Sequence, residues 1–244
     1  MSADTLIIGV PSKGRLMEQT ADYFARLGLP YERTGHERGY RGVIPGLPGA
    51  EIAFLSASEI ARHLQLGRIH LGVTGEDLIR EHIPDAEQRC AFLARLGFGR
   101  ADVVVAVPEC WIDVETIADL DEAAGLFDRE HGRRLRVATK YMNLARRFFA
   151  RKGVISYRLV ESLGATEGTP AAQTAEIIVD ITTTGTTLKA NHLKMLADGT
   201  ILQSEACLVA SRVAPSSEAS RAAETIIKDR IAGLNAASAS LAAK

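Results

Sequence analysis

The most informative stretch of the chain is Ile177-Ile178-Val179-Asp180-Ile181-Thr182-Thr183-Thr184-Gly185-Thr186-Thr187-Leu188. Its β-branched beginning predicts a buried parallel strand, and the Thr and Gly residues after Asp180 predict a turn. The spacing of Leu188, Leu193 and Leu196 predicts a helix after the turn. A strand, turn and helix in this order direct backbone N–H groups and the positive end of the helix dipole at one point, which favours an anion.

The turn of this stretch predicts a binding site for a sugar 5′-phosphate. Its donors belong to Thr183, Thr184, Gly185, Thr186 and Thr187, and the glycine lets the backbone approach an anion closely. No lysine stands inside the turn, which favours a phosphate monoester over a nucleoside triphosphate. The alternative is a plain helix cap, but a cap uses one hydroxyl and this turn offers several.

Two acids near the turn are candidates for contacts with the sugar. Asp180 stands beside the turn, where a carboxylate can accept hydrogen bonds from sugar hydroxyls. Glu167 lies a short distance before the strand, and it could contact the same sugar or be an ordinary surface acid. The residues by themselves leave both interpretations of Glu167 open.

Composition and charge narrow the class of protein. The 244 residues are 46% hydrophobic and 24% charged, as in an ordinary globular protein. A formal net charge of −1, without a basic run interleaved with aromatic residues, gives no reason to expect a nucleic-acid partner. We expect no signal peptide, no membrane association and a cytoplasmic location. Cys90, Cys110 and Cys207 are expected to be reduced thiols, and no metal-ligating residues are predicted among the six histidines.

Strand and helix patterns alternate along the chain, which predicts an α/β fold with mostly parallel sheets and helices on both faces. The first strands are predicted at 6–10, 51–55 and 69–73, and a second series at 102–107, 135–138, 154–159 and 177–181. We therefore expect two lobes, with the predicted phosphate-binding turn in the second lobe. Two crossings between the lobes leave a cleft, which is a usual place for a ligand.

The lobe boundaries follow from the predicted crossings. Residues 1–99 and 200–244 are expected to form the first lobe and residues 100–199 the second. Thr200–Arg212 is predicted as one strand that returns the chain to the first lobe. A last helix is predicted over 217–234, and the small-residue tail at 235–244 is expected to fray.

Three further strand ends carry polar residues. The first, Ser12-Lys13-Gly14-Arg15, has two cations that suit a polyanion at the place where open α/β sheets bind ligands, although Ser12 could instead cap the helix. The second, at 72–78, is rich in glycine and its acids could simply match the helix dipole. The third lies at 137–143. Since neither His nor Cys stands at these ends, nucleophilic catalysis of the Ser/His or Cys/His type is not predicted.

Four blocks of sequence together resemble one enzyme family. They are Ser-Lys-Gly-Arg-Leu at 12–16, Gly-Val-Thr-Gly-Glu-Asp-Leu at 72–78, Val-Ala-Thr-Lys-Tyr-Met-Asn-Leu at 137–144 and Val-Asp-Ile-Thr-Thr-Thr-Gly-Thr-Thr-Leu-Lys-Ala-Asn at 179–191. In this order they look like ATP phosphoribosyltransferase, which opens histidine biosynthesis. The resemblance implies a two-lobed architecture like that of type II periplasmic binding proteins. It also implies magnesium-dependent transfer of phosphoribosyl from PRPP to N1 of the adenine of ATP, with release of pyrophosphate.

The resemblance also implies roles for individual residues. Asp180 and Glu167 would hold the ribose hydroxyls of PRPP, and the turn at 183–187 would hold its 5′-phosphate. Lys13 and Arg15 would be the catalytic cations, facing the pyrophosphate or the phosphates of ATP. Catalysis would then consist of positioning and electrostatic stabilisation rather than proton transfer.

Further binding partners follow from the resemblance. ATP is expected near Gly75 and Asp77, and Mg²⁺ is expected to bind through substrate phosphates. About thirty residues follow Arg212, too few for another independent domain, so the chain resembles the short form of the family. That form works with a regulatory subunit related to histidyl-tRNA synthetase. A homodimer within a larger hetero-oligomer is the simplest expected assembly.

Two positions depart from the family pattern. Ser56 stands where Arg is expected in many members, which leaves open whether Arg38, Arg41 or Arg62 helps the departing pyrophosphate. Glu176 stands where Asp is usual, just before the buried strand.

Two other functions remain as alternatives. One is another PRPP-dependent phosphoribosyltransferase, whose motif usually shows two adjacent acids where this chain has Asp180 and Ile181. The other is a solute-binding module, since the implied fold is shared with such proteins.

Overall fold

The computed structural model describes residues 5–34 and 39–242, with side chains as far as residue 237. It divides into two compact units, Met1–Gly99 with Glu205–Lys244 and Arg100–Ser204. Within the described residues, no helix is both long enough and apolar enough to span a bilayer.

The elements follow one another in three runs along the chain. Up to residue 99 they are β1 (Leu6–Pro11), α1 (Gly14–Arg26), β2 (Glu32–Arg33), β3 (Arg41–Val43), β4 (Ala50–Leu55), α2 (Ala57–Gln65), β5 (Leu71–Gly75), α3 (Glu76–His82), α4 (Ala86–Arg89) and β6 (Cys90–Arg95). The second unit contains β7 (Ala101–Pro108), α5 (Ile117–His131), β8 (Leu135–Thr139), α6 (Met142–Lys152), β9 (Tyr157–Glu161), a 3₁₀ turn (Thr166–Gly168), β10 (Ile177–Thr182), α7 (Thr186–Ala190) and β11 (Leu193–Ser204). The chain then returns as β12 (Ala206–Ser211) and α8 (Glu218–Ala242).

The sheet of the first unit is built around β1, in the order β2-β3-β4-β1-β5-β12-β6. β1 is buried along its whole length and runs parallel to β4 and β5. Because successive side chains of a strand point to opposite faces, β1 serves two cores. Leu6 and Ile8 belong to the cluster that includes Phe24 of α1 and Ile227 of α8. Ile7 belongs to the opposite cluster, with Ile60 of α2.

The glycine at position 72 is explained by packing on this second face. A Cβ atom at Gly72 would lie 2.5 Å from a side-chain carbon of Ile60, so only a hydrogen fits between β5 and α2. One glycine of the sequence block at 72–78 is therefore required by the core.

The sheet of the second unit has the order β11-β7-β10-β8-β9, and β10 is its central strand. β10 runs parallel to β8 and antiparallel to β7. Ile177, Ile178 and Val179 are fully buried. The predicted buried strand is present. The turn that follows it lies at the C-terminal end of β10, on the same side of the sheet as the C-terminal end of β8.

The two-unit α/β fold was predicted correctly, whereas the sheets are mixed instead of mostly parallel. In the first sheet, the β2-β3-β4 edge and the β5-β12-β6 edge pair antiparallel. Several of these flanking elements, namely β2, β3, α4 and β6, carry no strong periodic pattern and were not predicted. They are short or lie at the margin of the sheet, where packing constrains fewer side chains.

The predicted helix from Leu188 to Leu196 is wrong beyond its first turn. α7 ends at Ala190, His192 has a positive φ of 55°, and Leu193 begins β11. The pairing of β11 with β7 shifts register after Met195, so Leu193 and Leu196 are both buried although they are three residues apart. An irregular strand thus produced the apolar spacing of a helix.

The return to the first unit also differs from the prediction. Residues 200–204 continue β11 in the second sheet, and β12 starts only at Ala206. The expected single strand over Thr200–Arg212 is therefore two strands in two sheets, separated by Glu205. The tail expected to fray after residue 234 continues as α8 to Ala242, because its alanines favour a helix.

Glu176 links the beginning of β10 to β8 through hydrogen bonds and ion pairs. Its backbone N–H donates to the carbonyl oxygen of Arg136 at 3.0 Å, and its carboxylate accepts from the backbone N–H of Arg136 at 2.7 Å. The guanidinium groups of Arg136 and Arg133 lie 2.6 and 3.0 Å from the same carboxylate. Burial by itself would raise the pKa of Glu176, but hydrogen bonds from Arg136 and Arg133 outweigh it and lower the pKa to about 2.

We predict that Glu176→Gln destabilises the protein at neutral pH by roughly 2 kcal/mol, because it removes a charged acceptor from two guanidinium groups. The pKa of Glu176 is lowered by folding, so its contribution is complete above its ordinary value of 4.5 and is lost as the pH falls toward about 2. Urea unfolding of the variant should therefore depend less on pH across this window than unfolding of the wild type.

The matched control is Glu51→Gln, which removes an exposed carboxylate paired with Arg41. Its effect on the free energy of unfolding should stay below about 1 kcal/mol. Equal acid sensitivity of the wild type and Glu176→Gln would contradict the assigned role of Glu176.

Candidate functional site

The turn after β10 is a preformed, largely exposed loop. Gly185 has a positive φ of 72° and occupies the N-cap position of α7. Its N–H donates to the hydroxyl of Thr182 at 2.9 Å, which closes the turn from inside. The hydroxyls of Thr184 and Thr186 are 2.7 Å apart, and the side chains of Thr183 and Thr187 are exposed. The turn therefore presents hydroxyls and backbone donors on a backbone shape that glycine makes possible.

The hydroxyl of Thr182 has a structural role that the sequence did not reveal. Because it accepts from Gly185, it is already engaged within the turn. Thr182 therefore helps to hold the turn in shape, and the assignment of residues 183–187 as phosphate donors stays a prediction. A Thr three residues before a Gly with positive φ is the signal that could have identified it.

Asp180 lies partly buried next to this turn. Its Oδ1 accepts a hydrogen bond from the N–H of Ile181 at 2.8 Å. Burial raises the pKa of the Asp180 carboxyl, while this hydrogen bond and the positive charge of Lys140 act against the rise. The negative charge of Glu167 adds to the rise. The charges of Lys140 and Glu167 therefore act on the pKa of Asp180 in opposite directions.

The three charged groups lie on neighbouring elements of the second unit. β8 and β10 pair in parallel with Val179 beside Thr139, so Asp180 and Lys140 follow at the same end of adjacent strands. Glu167 belongs to the 3₁₀ turn, which packs against β10. Lys140 is exposed and lies over the ring of Tyr141, 5.0 Å from its centroid. Lys140 was not among the predicted site residues, although its position directly after a strand in the third block could have identified it.

The strand-to-helix turn of the first unit presents two exposed cations. Lys13 occupies the N-cap position of α1 in extended conformation, without a side-chain capping bond, and Gly14 has a positive φ of 74°. Lys13 and Arg15 are both exposed. The alternative in which Ser12 caps the helix is not what the structure shows, because Lys13 occupies the N-cap position.

The turn between β5 and α3 contains residues that are buried or ion-paired within the protein, unlike the exposed turn between β1 and α1. Gly75 is the N-cap of α3, and Asp77 is buried in its first turn. Glu76 is also buried, and its carboxylate lies 2.7 Å from Arg80 and 2.6 Å from Arg95. The acid at 76 is therefore used in an ion-pair cluster, whereas binding of ATP by Gly75 and Asp77 stays a prediction.

Ser56 is also explained locally. Ser56 is the N-cap of α2, and its hydroxyl accepts a hydrogen bond from the backbone N–H of Glu59 at 3.3 Å. In return, the carboxylate of Glu59 accepts a hydrogen bond from the backbone N–H of Ser56 at 2.8 Å. Of the three arginines considered as substitutes at this position, Arg41 pairs with Glu51, Arg62 is exposed in the last turn of α2, and Arg38 lies outside the described residues.

No group of three or more His, Cys, Asp or Glu side chains suited to a metal occurs in the described part of the chain. The oxygen-rich surroundings of Asp180, with carboxylates and hydroxyls, are of the kind that hard cations accept. A divalent cation brought in on substrate phosphates fits such a donor set.

Comparisons with known proteins agree on one family. The sequence model of the family described as "HisG: ATP phosphoribosyltransferase" matches residues 56–233. A protein named ATP phosphoribosyltransferase from Rhodopseudomonas palustris (strain BisA53) is 60% identical over 226 residues, covering 93% of this chain and 70% of the relative. Its counterpart from Bradyrhizobium sp. (strain ORS 278) is 59% identical with the same coverage.

Solved structures show the same fold. The ATP phosphoribosyl transferase (HisG:HisZ) complex from Thermotoga maritima matches with a TM-score of 0.71 at 23% identity, covering 94% of this chain and 97% of that chain. A substrate binding protein of an amino acid ABC transporter matches with a TM-score of 0.54 at 12% identity, covering 96% and 94%. At these identities the likeness concerns the fold alone, and it confirms the expected resemblance to binding-protein architecture.

We predict that Asp180→Asn and Thr186→Val weaken binding of PRPP, the sugar phosphate that the sequence resemblance implies, without unfolding the protein. The loss of one charged hydrogen bond at Asp180 should cost roughly 1.5–3 kcal/mol. Titration calorimetry with PRPP measures the effect, and Asp113→Asn serves as a control because it removes an exposed carboxylate of the same unit. Unchanged PRPP affinity in folded Asp180→Asn would remove Asp180 from the site.

Proposed function

The chain belongs to the ATP phosphoribosyltransferase family, and we propose that two groups of its residues carry the family's reaction. The activity is the first step of histidine biosynthesis, in which the phosphoribosyl group of PRPP is transferred to N1 of the adenine of ATP and pyrophosphate is released. Neither alternative function is supported by the comparisons, because the likeness to solute-binding proteins extends to the fold only.

The first group binds PRPP. The observation that carries this proposal is the position of Asp180 near the end of β10, directly before the turn at 183–187, together with the packing of the 3₁₀ turn that contains Glu167 against the same strand. The carboxylates of Asp180 and Glu167 accept hydrogen bonds from the ribose hydroxyls, and the turn donates to the 5′-phosphate. Two carboxylates beside the sugar also favour the positive charge that grows on the ring as pyrophosphate leaves.

The second group consists of the two exposed cations of the first unit. Lys13 and Arg15 bind phosphate oxygens of the departing pyrophosphate or of ATP, and Arg15 does so in the bidentate geometry that guanidinium groups allow. Their interaction strengthens as negative charge accumulates on the leaving group, which lowers the barrier. Adenine N1 carries no proton to be removed before it attacks, so this site does not require a general base. Gly75 and Asp77 are proposed to contact ATP.

Magnesium is proposed as the cation bound through substrate phosphates. When bound, it neutralises charge on the pyrophosphate oxygens. The chain's own part is to place the ribose by Asp180 and Glu167 and to hold the 5′-phosphate at the turn, so that the anomeric carbon is presented in one orientation.

Assembly and location are proposed on the same basis. We propose that the chain works with a regulatory subunit related to histidyl-tRNA synthetase, supported by the resemblance and by the Thermotoga maritima neighbour, which is a HisG:HisZ complex. A homodimer within that assembly is the simplest arrangement. A cytoplasmic location is proposed because Cys90, Cys110 and Cys207 are free thiols.

The expected activity is pyrophosphate release that requires both ATP and PRPP. A coupled pyrophosphate assay with ATP, adenine or orotate as acceptor separates this enzyme from other phosphoribosyltransferases. Arg15→Ala should lower kcat more than it raises KM for PRPP, because the guanidinium acts on the leaving group. Loss of ATP affinity with intact kcat would instead place Arg15 at the nucleotide.

We also predict that histidine sensitivity depends on the regulatory subunit. The isolated chain should show transferase activity that histidine changes little, and addition of the synthetase-like subunit should make it sensitive, since regulation then biases an equilibrium between arrangements of the complex. Strong histidine inhibition of the isolated chain, with histidine bound in calorimetry, would contradict this.

A further inference from the structure

Arg33 contacts the chain on both sides of the turn that carries Lys13 and Arg15. Its Nη2 donates to the carbonyl oxygen of Ser12 at 3.1 Å and lies 3.9 Å from Sδ of Met17. Ser12 comes directly before the turn, and Met17 lies at the beginning of α1. One guanidinium group therefore contacts the residues at both ends of the turn.

The same guanidinium is itself held from two other directions. Its Nη1 donates to the carbonyl oxygen of Gly39 at 3.0 Å. Its plane covers the ring of Phe54, with 3.8 Å between the guanidinium carbon and the ring centroid. Phe54 belongs to β4, which pairs with β1. Arg33 thus connects the turn to the neighbouring strand through a planar group that both stacks and donates in two directions.

Within the described residues, few other contacts hold this turn. Lys13 forms no side-chain capping bond to α1, and Gly14 has a positive φ of 74° with open space where a Cβ would be. The hydrogen bond from Ser12 to Leu55 fixes only the end of β1. Since Lys13 and Arg15 are exposed, their placement depends on the backbone contacts at either end of the turn.

We propose that Arg33 is a positioning residue for this reaction, which holds the Lys13-Gly14-Arg15 turn so that its cations meet the substrate phosphates. The proposal rests on the proposed function of Lys13 and Arg15. A lysine at position 33 would retain the charge but would lose the stacking on Phe54 and the fork that reaches both Ser12 and Gly39.

The test is Arg33→Lys, assayed as the purified full chain for pyrophosphate release with ATP and PRPP. We expect kcat to fall by about 10- to 100-fold, because small displacements of a catalytic group have effects of that size, with a smaller change in KM for PRPP. The matched control is Arg26→Lys, the same exchange at an exposed position at the far end of α1, which should keep wild-type kinetics.

A double-mutant cycle separates positioning from a general structural effect. If Arg33 acts through the turn, Arg33→Lys should cause a several-fold smaller further loss of kcat in an Arg15→Ala background than in the wild type. Fully multiplicative losses would overturn the proposal. If Arg33→Lys keeps wild-type kinetics and Arg15→Ala is impaired, the proposal for Arg33 is overturned and the proposed function stands. If Arg15→Ala itself keeps wild-type kinetics, the function assigned to Arg15 is refuted.

Hydrogen exchange gives a readout that does not depend on activity. In Arg33→Lys the amides of residues 17–20, which are the first of α1 with helical acceptors, should exchange faster than in the wild type, while those at the far end of α1 should be unchanged. If Arg33→Lys folds too poorly for kinetics, Met17→Leu can be measured in the same way, since it removes only the sulfur contact. Unchanged exchange over residues 17–20 in the folded variant would overturn the proposal.

Discussion

The second unit depends on how β10 is fixed between its neighbours. The carboxylate of Glu176 and the guanidinium group of Arg136 join the beginning of β10 to β8, and the buried run of Ile177, Ile178 and Val179 fills the core behind that contact. A slip of one residue would turn every side chain of the strand to the other face of the sheet. The register therefore determines that Asp180 and Lys140 emerge side by side at the opposite end of the two strands.

In both units, residues with proposed roles in phosphate binding lie in strand-to-helix turns that contain a glycine with positive φ. Gly14 and Gly185 allow the two turns to adopt a backbone that other residues rarely take. The turns differ in what holds them. Thr182 closes the second-unit turn from its own loop, whereas the first-unit turn is held by Arg33, which comes from a different strand. A local hydrogen bond can be recognised in the sequence, but a contact from a distant residue cannot.

Two polar residues near strand ends, Ser56 and Glu76, support the fold. Glu76 is buried between Arg80 and Arg95, and Ser56 forms a reciprocal capping arrangement with Glu59. In the sequence, the acids at 72–78 could simply match the helix dipole, and Ser56 was a departure from the family pattern. Their partners in the structure show that a polar residue at a strand end can satisfy its hydrogen bonds within the protein.

The sequence by itself determined the α/β class, the two units, the strand that carries Asp180 and the family, because buried strands and glycine turns leave local patterns that do not depend on the rest of the chain. Tertiary structure alone decided the mixed strand order and the irregular path of β11, where Leu193 and Leu196 imitate a helix. It also decided the contact of Arg33 with Ser12. The physical reason is that strand pairing and side-chain contacts across long sequence separations depend on which elements become neighbours, and local periodicity carries no information about that.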